Sequence, residues 1–332
     1  MKFSIWIQEQ WQKRGLYAWL MMPLSFLYCL VMILRREAYG SGLLKTYQIG
    51  KPVIVIGNLS VGGTGKTPLV IWLANGLARK GFRPAVISRG YGGRAKKFPL
   101  LVNAETHAAI SGDEPAMIAR RLGCPVVIDP DRVAAANWLV ERDLCDVIIS
   151  DDGLQHLALG RDLEIAVITS DRVAGNGLCL PAGPLRENQA RLKSIDVVIS
   201  REKKSTLTEH TMDLLPGECS RLENPAMRLP LSAFWKGPVH AIAGIGNPEG
   251  FFSSLRTAGL EIIPHPFPDH YDYTQADISF SDGLPVIMTE KDAIKCREFA
   301  TRNHWAVIIS VDVDQGILMT VLEKIKEFDS NG

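Results

Sequence analysis

The chain has 332 residues, 46% hydrophobic and 22% charged, with Gly 29 and Pro 19; at roughly 150 residues per domain this predicts about two domains around a sizeable core. Such a composition excludes disordered and low-complexity classes, and a formal net charge of +1 argues against a nucleic-acid partner, which usually demands a basic excess. The total conceals an asymmetry: residues 1–36 carry Lys2, Lys13, Arg14, Arg35 and Arg36 against Glu9, a net of +4, so the other 296 residues sum to −3.

The first predicted element is residues 15–34, twenty residues without a charge, bracketed by Lys13-Arg14 and Arg35-Arg36. At about 1.5 Å per residue this length matches a hydrocarbon core of about 30 Å. Trp6, Trp11, Tyr17 and Trp19 crowd one end, where amphipathic rings favour a membrane interface. The stretch runs into Leu-Arg-Arg-Glu with no small-residue cleavage site, which speaks against a signal peptide. Membrane attachment is favoured over a buried core helix. Basic residues on both flanks leave spanning and in-plane orientations open.

Beyond the anchor, short apolar runs alternate with amphipathic ones. Residues 52–57 read as a strand and 68–80 as a helix with Leu69, Trp72, Leu73 and Leu77 on one face. Then follow a strand at 85–87, a helix at 114–122, a strand at 126–128, a helix at 132–141, and strands at 146–149, 165–168 and 196–199. Continuous apolar strands between helices imply an α/β fold with a parallel sheet covered on both faces. Residues 202–236 are polar and carry Pro216, Pro225 and Pro230, and are read as a linker or hinge. A smaller α/β domain is expected at 237–332, with strands at 239–243, 286–288 and 307–310 and helices near 251–258 and 317–328. The predicted organisation is therefore an anchoring helix (1–36), a nucleotide domain (37–201), a linker (202–236) and the smaller domain. Six cysteines (Cys29, Cys124, Cys145, Cys179, Cys219, Cys296) show no zinc spacing and are expected as unpaired, mostly buried thiols of a reducing compartment.

The strongest local signal is Ser60-Val-Gly-Gly-Thr-Gly-Lys-Thr67, set between a strand and a helix. A phosphate cradle needs inward-turned backbone N–H groups, glycines that permit them, and a helix N-terminus behind. Gly62, Gly63, Thr64 and Gly65 would form that cradle. Lys66 would reach the β- and γ-phosphates and the Thr67 hydroxyl would ligate Mg²⁺. Ser60 stands where the usual P-loop pattern has its first glycine. An apolar strand ending in Asp151-Asp152 occupies the place of a Mg²⁺-holding carboxylate. Candidates to orient an attacking oxygen are Asp113, Glu114, His156 and His270. These observations alone describe a membrane-tethered P-loop NTPase or kinase.

Seven motifs carry the reading further: Gly57-Asn58 ahead of the P-loop and its Pro68, Ser88-Arg-Gly-Tyr-Gly92, Gly112-Asp-Glu-Pro115, Asp151-Asp-Gly-Leu-Gln-His156, Pro181-Ala-Gly-Pro-Leu-Arg-Glu187, Pro268-Asp-His270 and Thr289-Glu-Lys-Asp-Ala293. In this order they resemble the tetraacyldisaccharide 4′-kinase family of lipid A biosynthesis in Gram-negative bacteria, over nearly the whole chain. Leu154 departs from the aromatic residue of many members. The resemblance implies ATP-dependent phosphorylation of the 4′-hydroxyl of a tetraacylated glucosamine disaccharide 1-phosphate at the cytoplasmic face of the inner membrane, with no obligate protein partner. It implies Asp113 paired with His270 as the catalytic unit and Thr67, Asp151 and Asp152 at the metal. Glu114 and His156 are expected as neighbours, Arg186 as a phosphate partner and Tyr91 as a stacking surface. A membrane-associated partitioning-type ATPase is the rival from another class. Its loop carries a second lysine just before Gly-Gly, where this chain has Val61.

Overall fold

The computed structural model describes residues 6, 7, 9–169, 175–201 and 205–331; Lys2 of the basic segment and 202–204 of the expected linker lie outside them. In chain order the main elements are helix α1 (Leu16–Gly40), β1 (Val53–Gly57), α2 (Lys66–Arg79), β2 (Pro84–Ser88), β3 (Leu100–Val102), α3 (Asp113–Arg121), β4 (Val126–Ile128), α4 (Arg132–Val140), β5 (Val147–Asp151), β6 (Leu163–Ile168) and β7 (Val197–Ser200). There follow β8 (Met212–Arg221), β9 (Arg228–Leu229), β10 (Val239–Ala243), α5 (Pro248–Thr257), β11 (Ile262–Pro266), β12 (Val286–Thr289), α6 (Glu290–Cys296), β13 (His304–Val313) and α7 (Gly316–Asn331).

The first sheet has the order β3-β4-β2-β5-β1-β6-β7. It is parallel except for the edge strand β3, which runs antiparallel to β4. Its central strands are buried at every position, as a sheet covered on both faces requires. Leu69, Val70, Leu73 and Leu77 of α2 are fully buried against one face, each contributing about 1.5–3 kcal/mol of burial. The pairing Ile56↔Asp151 sets the C-terminal ends of β1 and β5 side by side, so the glycine loop and the two acids emerge at the same end of the central strands.

The second sheet, β11-β10-β12-β13-β8-β9, corrects the expected linker. Residues 212–221 form a ten-residue strand that pairs antiparallel with β13. Pro216 is accommodated where the register shifts between Val307 and Ile309, a bulge being the position at which a sheet tolerates proline. The final helix departs from its expected place too. Ile317, Leu318, Val321, Leu322 and Ile325 of α7 join the core built around α2 and the first sheet, not that of the second sheet. The chain thus returns to its first layer and closes the two units on one another.

Helix α1 is long and apolar enough to cross a membrane by length and composition, with a mean hydropathy of 1.9 over its most apolar window. One side is nonetheless docked on the protein. Ser25 Oγ donates to Cys179 O (2.7 Å), Tyr28 Oη to Arg186 O (3.0 Å) and Tyr17 Oη to Pro181 O (3.2 Å). Cys29 and Cys179 are paired, their Cα atoms 6.3 Å apart. This departs from the expectation of six unpaired thiols, because a contact across 150 residues leaves no spacing pattern. The other four cysteines are free.

Candidate active site

The glycine loop joins β1 to α2. Gly65, the residue before α2, has φ +86°, and a Cβ there would meet Met212 and Leu214 of β8; both the turn and the contact call for glycine. Val61 N–H donates to Pro184 O (2.9 Å), which ties the loop to the segment that carries Arg186. Lys66 is buried, its Nζ 3.5 Å from Asp152 Oδ1, while Arg186 Nη1 lies 2.8 Å from Asp152 Oδ2. Thr67 follows in the first turn of α2, also buried.

Asp151 ends β5 with 1% of its surface exposed, and neither carboxylate oxygen has a protein partner among the described residues. Burial first, then Glu114 and Asp152, push its carboxyl up to about 7, while Lys66 and Arg132 pull the other way. Asp152 behaves oppositely: although burial raises it, Lys66 and Arg186 hold its carboxyl below the usual range. The two unpartnered, buried oxygens of Asp151, beside the Asp152 carboxylate, fit a divalent cation chemically. Among the described residues no cluster of three or more His, Cys, Asp or Glu is placed to hold a metal ion. Mg²⁺ commonly takes only one or two carboxylates, with phosphates and water completing its shell.

Gly112 has φ +89°, and a Cβ on it would stand 2.3 Å from Tyr91 O. The glycine therefore lets the 88–92 loop pack on the start of α3. Asp113 and Glu114 occupy the first turn of that helix, with Arg120 and Arg121 in its last, the charge order a helix dipole favours. The two acids serve different places. Glu114 acts electrostatically on Asp151. Asp113 Oδ2 lies 3.0 Å from Nδ1 of His270, which comes from the loop after β11 in the second sheet. His270 has φ +59°, and the edge of its ring faces Tyr91, centroids 5.7 Å apart. The ring contact of Tyr91 is thus with His270.

His156 is half-buried and held down to about 4 by burial, then by Arg132, Arg89, Arg161 and Arg35. It is a neutral imidazole in a cationic surround. Arg132 itself is buried and donates to the backbone oxygens of Asp129 (2.9 Å) and Asp151 (3.4 Å). No sequence pattern points to Arg132, nor to two lysines beside Asp113 and His270. Lys295 Nζ is 3.0 Å from Asp113 Oδ2, and Lys291 Nζ is 3.3 Å from His270 Nε2. Lys291 belongs to the Thr289–Ala293 motif and Lys295 lies two residues past it, and no local pattern ties either to Asp113.

Comparison with known proteins shows the family. A sequence model of the family "Tetraacyldisaccharide-1-P 4'-kinase" matches residues 17–326. The chain is similar to proteins named tetraacyldisaccharide 4′-kinase from Nitrosococcus oceani, with 46% identity over 98% of this chain and 96% of the relative. The same name is borne by similar proteins from Hahella chejuensis, at 43% identity over 98% of both chains, and Alkalilimnicola ehrlichii, at 50% over 85% of both. The crystal structure of LpxK from Aquifex aeolicus in complex with ATP is similar in fold, with TM-score 0.81 and 30% identity over 93% of this chain and 99% of that one. The chain belongs to the tetraacyldisaccharide 4′-kinase family.

Proposed function

We propose that this protein transfers the γ-phosphoryl group of ATP to the 4′-hydroxyl of a tetraacylated glucosamine disaccharide 1-phosphate, with the Asp113–His270 pair as its catalytic unit. The observation that carries the site assignment is the 3.0 Å contact between Asp113 Oδ2 and His270 Nδ1. It joins a carboxylate of the nucleotide-binding sheet to an imidazole of the second sheet. A carboxylate and an imidazole so placed can receive the hydroxyl proton as its oxygen bonds to the γ-phosphorus. The bond from that phosphorus to the β,γ-bridging oxygen breaks and ADP leaves. Gly62, Gly63, Thr64 and Gly65 cradle the phosphates, and Lys66 neutralises charge on the β- and γ-oxygens. Thr67, Asp151 and Asp152 would hold Mg²⁺, which would supply neutralisation of the phosphate charge. The arginines around His156, with Arg186, suit a phosphate of either substrate. Because the dyad spans both sheets, opening between them would separate donor chemistry from proton acceptance and limit idle hydrolysis.

The docking of α1 supports membrane association in the plane of the interface rather than across it. Its polar side is bonded to the 179–186 segment, whereas Leu16, Trp19, Leu20, Leu24, Phe26 and Leu27 are exposed. A helix pulled across a bilayer would lose those bonds without replacement. The basic flank favours anionic headgroups by about 1 kcal/mol per residue near the surface. Use of ATP favours a site on the cytoplasmic side. The partitioning-type ATPase is not favoured: Val61 replaces its second lysine and the relatives bear kinase names.

The test is phosphoryl transfer from γ-labelled ATP to a tetraacyl disaccharide 1-phosphate in detergent micelles, with Lys66→Ala as control. A labelled bis-phosphorylated lipid that disappears in the control is expected. Free phosphate without labelled lipid would overturn the kinase reading in favour of an ATPase.

A further inference from the structure

The Thr289-Glu-Lys-Asp-Ala293 motif is left without a part by the phosphate chemistry, yet its side chains build one device. Thr289 caps α6 by accepting from Asp292 N–H, and its hydroxyl donates to Asp292 Oδ2 (2.6 Å). Asp292, fully buried, also accepts the N–H of Gly244 (3.0 Å) at the end of β10. The start of α6 is thereby fixed to its own sheet. Glu290 takes Arg121 Nη1 on both carboxylate oxygens at 2.8 Å. One end of α3 is pinned in this way, and Lys295 meets Asp113 at the other end, so the two helices lie antiparallel with an ion pair at each extremity.

Lys295 differs from an ordinary surface pair. Its side chain is 10% exposed, its Nζ is 3.0 Å from Asp113 Oδ2, and it donates to Tyr271 O at 3.1 Å. Burying an ammonium is costly unless it is paired and hydrogen-bonded. Here the cost goes toward holding one carboxylate. Oδ2 of Asp113 meets both His270 Nδ1 and Lys295 Nζ, which fixes the rotation of the carboxylate and leaves Oδ1 without a protein donor among the described residues.

We propose that Lys295 is a positioning residue for phosphoryl transfer: it locks the Asp113 carboxylate against His270 so that Oδ1 is the oxygen presented to the acceptor hydroxyl. This rests on the Asp113–His270 reading given above. The groups facing Asp113 are His270 from the loop after β11 and Lys291 and Lys295 from α6. Burial raises the Asp113 carboxyl, but His270, Lys295 and Lys291 together hold it below the ordinary range. Removing Lys295 therefore raises it, and activity that needs the carboxylate falls off at a higher pH.

The experiment compares full-length Lys295→Met, Lys295→Arg, Asp113→Ala and the Asp113→Ala/Lys295→Met double variant, with ATP and the micellar acceptor. Lys295→Met is expected to lower kcat about 10- to 100-fold, the scale of a misplaced catalytic group, with KM for ATP unchanged. The acid limb of its pH profile moves upward, Lys295→Arg restores most of the turnover, and Lys295→Met costs nothing further in the Asp113→Ala background. Should Lys295→Met fail to fold, Lys295→Gln against Lys295→Arg carries the same comparison. Loss of activity in Asp113→Ala with wild-type kcat and acid limb in Lys295→Met overturns this proposal alone. So does an undiminished effect of Lys295→Met in the double variant. Wild-type turnover in Asp113→Ala overturns the dyad reading and this proposal with it.

Discussion

Replacing Asp151 by Asn should stabilise the ligand-free protein while abolishing its chemistry. The carboxylate is 1% exposed and without a protein partner among the described residues. Burial, Glu114 and Asp152 push it up to about 7, against about 3.9 for the unfolded chain. Between these values the folded state binds more protons than the unfolded one, so stability falls as pH rises from about 4 to about 7 and stays reduced above that. Holding the ionised carboxylate in this buried, acidic surround at higher pH costs the folded state on the order of a few kcal/mol. Asparagine cannot ionise and escapes this cost. Urea unfolding of wild type and Asp151→Asn, without nucleotide or metal, is expected to show the variant a few kcal/mol more stable at pH 8 by this linkage. The gain should shrink steadily toward pH 5. Mg²⁺ with ATP should then stabilise the wild type more than the variant, and lipid phosphorylation should be lost in the variant. Equal stabilities at pH 8, or a gain that does not change with pH, would refute the reasoning that Asp151 awaits a cation.

Other outcomes follow from the same geometry. Asp113→Ala and His270→Ala should each lower turnover by about 10²–10⁴-fold, and the double change should add little if the pair acts as a unit; fully multiplicative losses in kcat would break the pair. Leu20→Glu with Leu24→Glu, on the exposed side of α1, should reduce flotation with anionic liposomes and raise KM for the lipid while ATP binding persists. Unchanged flotation would put the membrane contact elsewhere. Glu164 is buried and meets Arg191 (2.6 Å) and Arg161 (2.9 Å). Arg191→Met leaves that carboxylate with one partner and should cost about 3–5 kcal/mol of unfolding free energy, read by urea titration. A loss under about 1 kcal/mol would mean that the network relaxes around the gap.

Much of the architecture was legible in the residues because the information is local. Apolar runs such as 53–57 and 147–151 can only be central strands of a covered sheet, and α2 declares its buried face by period. The glycine loop is likewise local chemistry, since a phosphate cradle needs glycine conformations within a few residues of a helix start. Strand β8 is hidden in the sequence because a polar stretch with Pro216 reads as a linker, and only the bulge opposite Val307–Ile309 makes the proline acceptable in a sheet. Helix α7 was foreseen as a helix but not as a part of the first core, because an amphipathic face does not name the surface that it covers. The dyad was reached through family resemblance, since nothing local links Asp113 to a histidine 157 residues away. Lys295 had no such help. Its purpose depends on α6 lying antiparallel to α3, and that follows from two sheets packing together, an arrangement set by the summed burial of many side chains and by no single motif. Local residue patterns suffice for the sheet, the loop and the chemical inventory; which carboxylate meets which base follows only from how the two sheets and their helices pack.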